Sequence, residues 1–195
     1  MASHERRRVK DLDTLKALAH PLRMKLYRAL QVADTATASQ LADQVDEAVS
    51  LVSYHLRKLA ANGLIEEAAA DRGDGRERWW QASSDGVSTR DEDFRGTPEG
   101  VVVHNALMRT HAGQLTEMYD TFLDTQAAWS QQWRDAAFCA EYLMPLTAEE
   151  VRAFGEEIRD LAAKWRAHGK AAIEAGDTEG RENVAVHAYG FPFTT

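Results

Sequence analysis

Ser50, Ser53, Tyr54, Arg57 and Lys58 are spaced so that a helix would gather them on one side: three hydroxyls and two cations, with no carboxylate among them. Hydroxyls and guanidinium groups can hydrogen-bond to base edges in a nucleic-acid groove, and cationic side chains can pair with its phosphates. Catalysis finds no comparable set. The chain shows no Ser/His/Asp constellation, no glycine-rich phosphate loop and no pair of carboxylates at a pocket-like position, so no catalytic residue and no cofactor is assigned.

The elements that would hold this face can be read from spacing and caps. "DLDTLKALAHPLRMKLYRALQVA" reads as two short helices broken at Pro21, with Leu12, Leu15 and Leu18 on one face and Leu22, Leu26, Tyr27 and Leu30 continuing the apolar spacing. Thr37 followed by Gln40 is a capping-box pattern that starts a helix running to Val45. After the tight connection "DEA", Val49, Val52, Leu56 and Leu59 form the inner side of the helix that carries the polar face, and Asn62-Gly63 ends it. "LIEEAAA" and "RERWWQAS" are expected to be two strands of a hairpin around "DRGDG". Trp79 and Trp80 would then point to opposite faces of the second strand.

Net charge is -8, but it is unevenly placed. Residues 1–82 hold 13 Lys and Arg against 12 Asp and Glu, and residues 83–195 hold 10 against 19. A near-neutral first half can present a basic face locally, because charges act over a Debye length of roughly 8–10 Å. Arg6, Arg7, Arg8 and Lys10 lie in a basic arm at residues 1–11, read as a solvated tail or, more sharply, as a phosphate-contacting arm. No apolar run of bilayer length or signal-peptide core is present, which places the chain in the cytoplasm with no membrane partner. Cys139, the single cysteine, cannot close an intrachain disulfide.

Residues 83–97 are polar and read as a linker. Beyond them a heptad of His104, Met108, His111, Leu115, Met118, Phe122, Thr125 and Trp129 predicts one long helix. Thr147 with Glu150 predicts the cap of a second helix, whose seam is Val151, Phe154, Ile158, Leu161, Trp165, His168 and Ala172. A lone long helix cannot bury its stripe, so homodimerisation through these C-terminal helices is expected. Tyr119, Phe122, Trp129, Trp133 and Trp165 are candidates for an apolar effector pocket, against the plainer reading as core. "AAFCAEYLMPL" and "ENVAVHAYGFPF" could pair as two strands.

Two short helices with a tight turn, the second exposing polar and basic groups, followed by a hairpin with Arg72, Arg76 and Arg78, form a winged helix-turn-helix layout. The expected fold is mainly α with a small β wing: this motif at 12–82, then a helical dimerisation and effector domain at 98–195, with a second short β pair. From "LKALAHPLRMKLYRAL" through "SQLADQVDEAVSLVSYHLRKLAANGLI" to "RGDGRERWWQ", the chain resembles the ArsR-type winged-helix transcriptional regulators. The resemblance implies a dimeric repressor bound to a double-stranded DNA operator. Its recognition helix would be Ala48 to Ala61, with Gln40 in the preceding helix and Arg72, Arg76 and Arg78 in the wing joining the helix face. Asp46 stands where many such regulators have Gly, and Ala48 where a Ser or Thr often caps. Metal sensing is disfavoured. "SQLADQV" lacks the cysteines of one sensor type, Val102 replaces the Asp two before His104 of another, and His104 and His111 would stand about 10.5 Å apart along a helix. The alternative to a regulator is a winged-helix protein whose C-terminal half has an enzymatic or protein-interaction role.

Overall fold

A computed structural model describes residues 6–68 and 77–194 and separates the chain into two units, the first reaching Leu123 and the second beginning at Asp124. In the first unit, strand β1 (Arg7–Arg8) precedes helices α1 (Leu12–Leu18) and α2 (Pro21–Ala33). Asp11 caps α1 by accepting the Thr14 N–H at 2.8 Å. Pro21 occupies the first turn of α2, where its missing N–H costs nothing, and His20 before it is extended, so the break falls where expected. Strand β2 (Thr35–Thr37) then leads directly into α3 (Ala38–Val45). Thr37 and Gln40 form the capping box, the Gln40 N–H donating to Thr37 Oγ1 at 3.3 Å and the Thr37 N–H to Gln40 Oε1 at 2.9 Å. Asp46, where the resemblance implied Gly, ends α3 in the left-handed region at φ 53°, a conformation that Gly adopts most readily.

Helix α4 (Val49–Ala61) begins after Ala48, which makes no side-chain cap, and stops at Gly63, whose φ of 62° lets the Leu64 N–H reach back to the Leu59 carbonyl. Strand β3 (Ile65–Glu67) pairs antiparallel with β4 (Trp79–Ala82), Ile65 opposite Ala82 and Glu67 opposite Trp80. The loop "DRGDG" and the wing cations Arg72 and Arg76 lie outside the described residues. β4 also pairs with β2, which the sequence reading had no strand for, giving a three-stranded sheet in the order β2-β4-β3. Leu15, Leu18, Leu26, Leu30, Leu41, Val52, Leu56, Leu59, Leu64 and Ile65 are fully buried between the helices and this sheet, and Trp80 closes the core from the sheet side.

Arg7–Arg8, in the stretch expected to be an arm, and Val87–Ser88, in the stretch expected to be a linker, are instead bound to this body. β1 pairs in parallel with β5 (Val87–Ser88), so a second β pair exists, but not where it was expected. Arg7 donates to the Asn62 and Gly63 carbonyls at 2.9 and 2.6 Å, satisfying acceptors at the end of α4. Arg8 is held by Asp93 and Glu92, each at 2.8 Å, and the contact raises the arginine's pKa and lowers that of Asp93. Phe94 is buried and stacked on His104, with ring centroids 5.7 Å apart.

Helix α5 (Pro98–Thr125) packs its first half on the α1–α2 junction: the Gln114 amide donates to the Pro21 carbonyl at 2.8 Å, and Lys16 meets Glu99 at 2.6 Å. The seam differs from the expected heptad. His104, Leu107, Gln114 and Leu115 face inward, whereas Met108 and Met118 are exposed and the helix stops before Trp129. The junction it covers offers backbone carbonyls as well as apolar groups, so Gln114 takes an inner position.

The second unit holds α6 (Gln131–Ala136) and α7 (Ala148–Glu174). The cap of α7 is the expected box, the Thr147 N–H donating to Glu150 Oε2 at 2.7 Å and the Glu150 N–H to Thr147 Oγ1 at 3.3 Å. Residues 137–147 and 181–194 are not strands. Pro145 and Pro192 remove ladder donors from them, and Phe138, Tyr142, Val184, Val186 and Phe191 stay exposed, so neither segment gains a face to bury. Among the described residues no helix is long and apolar enough to cross a membrane.

Candidate nucleic-acid interface

The outward side of α4 carries its polar residues together with Leu51 and with Val49, which was expected on the inner side but lies in the first turn, before the helix reaches the core, and is exposed. Val52, His55, Leu56 and Leu59 are buried against α2 and α3, which leaves Ser50, Tyr54, Arg57 and Lys58 exposed and Ser53 half-buried. Among the described residues Arg57 has no hydrogen-bond or ion-pair partner. Lys58 stands 5.7 Å from the Tyr54 ring centroid, and the shared exposure of both leaves the ammonium in water. A helix of about 10–12 Å diameter matches the width of the B-DNA major groove.

Next to this face, a cleft of about 320 Å³ runs between the start of α3, the first turns of α4 and the first residues of β4. Ser39, Ser53, Arg57, Glu77, Arg78 and Trp80 line it, so three elements distant in sequence bring hydroxyls, guanidinium groups and a carboxylate to one place. Ser39 donates to Glu77 at 2.9 Å. Arg78 reaches Glu67 at 3.1 Å and lies 5.5 Å from the Trp80 ring centroid, so this wing cation is partly committed within the sheet. Gln40 is exposed, but its Oε1 belongs to the capping box. Ser39 and Glu77 were missed in the sequence. Neither has a signal of its own, and the meeting of α3 with β4 depends on the unrecognised strand β2.

Beneath α4, His55 lies against His20 with ring centroids 4.5 Å apart, and the Nδ1 atoms of both are buried without a hydrogen-bond partner. Burial lowers the pKa of each, His55 being disfavoured further by His20 and Arg23, and His20 by Arg23. Arg23 is fixed by the Ala17 and Lys16 carbonyls at 2.6 and 3.0 Å, so it cannot turn away. His55 is thus a packing residue on the inner side of α4, as its place beside Leu56 suggests.

The remaining candidates form local contacts. Tyr119 stacks on Phe122 at 6.3 Å, Trp129 meets Trp133 edge to face at 6.5 Å, and Trp165, 61% exposed, meets His168 at 5.5 Å. No group of three or more His, Cys, Asp or Glu side chains suited to a metal ion occurs among the described residues.

Residues 18–68 match a helix-turn-helix domain family. No curated protein matches the sequence. Among solved structures the chain is similar to a possible transcriptional regulator for arsenical resistance, with 28% identity over 52% of this chain and 85% of that one and a TM-score of 0.32. It is also similar to a MarR family transcription regulator, with 17% identity over 81% and 79% of the two chains and a TM-score of 0.32. A third likeness is to Lactococcus lactis ZitR in complex with DNA, with 15% identity over 77% and 74% and a TM-score of 0.27.

Proposed function

We propose that the protein is a DNA-binding transcriptional regulator of the ArsR type, which inserts α4 into the major groove of an operator. The observation that carries this reading is the division of α4 into a buried side of Val52, His55, Leu56 and Leu59 and an outward side whose hydroxyls and cations stand beside the exposed Val49 and Leu51, continuous with the cleft that ends at Arg78. Ser50, Ser53, Tyr54 and Arg57 read base edges in this proposal, while Lys58, Arg72, Arg76 and Arg78 meet phosphates. Gln40 sits at the edge of the same face. The protein acts as a homodimer joined through its C-terminal helices and represses by covering an inverted repeat with half-sites roughly 34 Å apart. A small apolar effector that alters this binding is the further element of the proposal.

Fluorescence anisotropy with promoter DNA tests the reading. Affinity is expected to fall steeply with salt, by about 0.9 in log–log slope for each phosphate contact. Arg57→Ala should cost roughly 1–3 kcal/mol on the operator and much less on random DNA. Lys58→Ala should weaken both alike. Salt-independent binding, or an equal loss on both DNAs from Arg57→Ala, would refute the assignment. A thermal-shift screen with small apolar compounds checks the effector.

A further inference from the structure

We infer that α7 is a self-pairing surface: two copies of it associate antiparallel, with the two-fold axis between Ile158 and Leu161. The inference deepens the dimer of the proposed function by naming the helix, the direction and the register. Among the described residues none from Asp124 to Thr194 is buried, yet α7 carries an unbroken apolar seam of Val151, Phe154, Ile158, Leu161 and Trp165, continued by His168. Val151, beside Gly190, and Ile158 are half-buried, but Leu161 and Trp165 are 56% and 61% exposed, so within the second unit most of the stripe lacks cover.

The charges say what covers it. Residues 148–160 hold five acids against two bases, and residues 161–174 hold three bases against one acid. A parallel pair would set like charge on like charge, whereas an antiparallel pair lays the acidic half of each helix on the basic half of the other. Antiparallel pairing also matches the seam. Val151 falls opposite His168 of the second copy, Phe154 opposite Trp165, and Ile158 opposite Leu161, each layer joining the two kinds of seam position. In that register Glu157 flanks one side of the seam opposite Lys164 of the second copy, and the symmetry repeats the pair.

The other flank is made of small residues at seven-residue spacing, Ala148, Gly155, Ala162 and Gly169. The two glycines have no cause within the second unit. A Cβ at Gly169 would meet nothing within 4 Å, one at Gly155 only the flexible end of Arg159 at 3.5 Å, and neither residue has positive φ. Each weakens the helix by about 1 kcal/mol relative to Ala. Close approach of a second backbone along this flank accounts for both.

The experiment uses the full chain with Cys139→Ser and follows oligomeric state by sedimentation without DNA. Chains bearing Val151→Cys and His168→Cys, mixed and oxidised, should form the mixed disulfide in preference to either like disulfide. Glu157→Lys and Lys164→Glu should each weaken the dimer about tenfold, and the double variant should restore it. Gly169→Leu should abolish the dimer while leaving the helical signal intact. Like disulfides at residue 151, or a dimer indifferent to Gly169→Leu and to both charge reversals, would overturn the antiparallel pairing while leaving a dimer of another kind standing. A monomeric wild-type chain would overturn both. DNA recognition by α4 is read separately, from Arg57→Ala in the unaltered background.

Discussion

Thr37→Val removes one hydroxyl from the joint between sheet and helix-turn-helix while keeping the β-branched shape that β2 requires. Thr37 is 2% exposed, ends β2 opposite Trp79, and caps α3. The substitution leaves the Gln40 N–H without its acceptor at the start of a helix whose Leu41 is fully buried. Loss of an N-cap costs about 1 kcal/mol, within a range of roughly 0.5–2, and the orphaned donor pushes the value toward the upper end. For a unit of this size the midpoint of thermal unfolding should fall by roughly 3–8 °C. Gln40→Ala removes the reciprocal bond and should cost a similar amount. The double variant should lose less than the two singles together, by about 0.5 kcal/mol, because both bonds hold the same turn. Gln40→Glu keeps the acceptor and places a negative charge at the helix start, so it should match or exceed the parent. Urea unfolding followed by circular dichroism measures all four. If Gln40→Glu were as damaging as Gln40→Ala, the cap would not be the reason for Gln40, and contact with DNA would be the better account of that side chain.

Two further predictions concern the packing around α4 and α5. Because burial lowers the pKa of His20 and His55, the unfolded chain binds more protons than the folded one from about pH 6.5, the free histidine value, down to the lowered folded values. Stability should therefore be level above about pH 7 and decline as the pH falls through 6.5; urea titrations at pH 5–8 measure it, and a His55→Gln chain with an undiminished slope would disprove the link. Gly100→Ala should destabilise despite alanine's better helix propensity, since its Cβ would run into the Phe94 carbonyl oxygen, whereas Gly113→Ala in the same helix meets nothing within 4 Å and should gain up to about 1 kcal/mol. Opposite thermal shifts for the two variants are the expected readout, and equal shifts would refute the close approach at Gly100.

What could be read directly from the chain was local in origin. Both capping boxes, the break at Pro21, the limits of α4 and the turn at Asp46 are decided by residues within four positions of one another, and each stands where its spacing placed it. The polar side of α4 was legible for the same reason. The unread features depend on partners far along the chain. β2 is three residues long and is a strand only because Trp79–Gln81 supply its hydrogen bonds. β1 exists through Val87–Ser88, and the inner face of α5 through carbonyls at Ala19 and Pro21. The cleft joining Ser39, Arg57 and Glu77 was invisible because a groove belongs to three elements at once.

The destinations of the cations bear on how an acidic chain can hold a polyanion. Arg7 is spent on carbonyls at the end of α4, Arg8 on Asp93 and Glu92, and Arg23 on carbonyls at the end of α1. Each fixes the body of the first unit, but only Arg8 is offset by carboxylates; Arg7 and Arg23 keep their charge. Arg57 and Lys58 have no such employment among the described residues, and α4 holds no carboxylate to neutralise them. On the adjoining cleft Glu77, which accepts from Ser39, and Arg78 bring opposite charges. Asp46 and Glu47 lie just before the first turn of α4 and Arg57 and Lys58 on it, so this local balance, rather than the excess of nine negative charges in residues 83–195, meets a phosphate placed at this face. In the proposed complex, net charge is therefore a poor guide to DNA affinity, and added salt should weaken binding with the slope of the local contacts, whatever the sign of the whole chain.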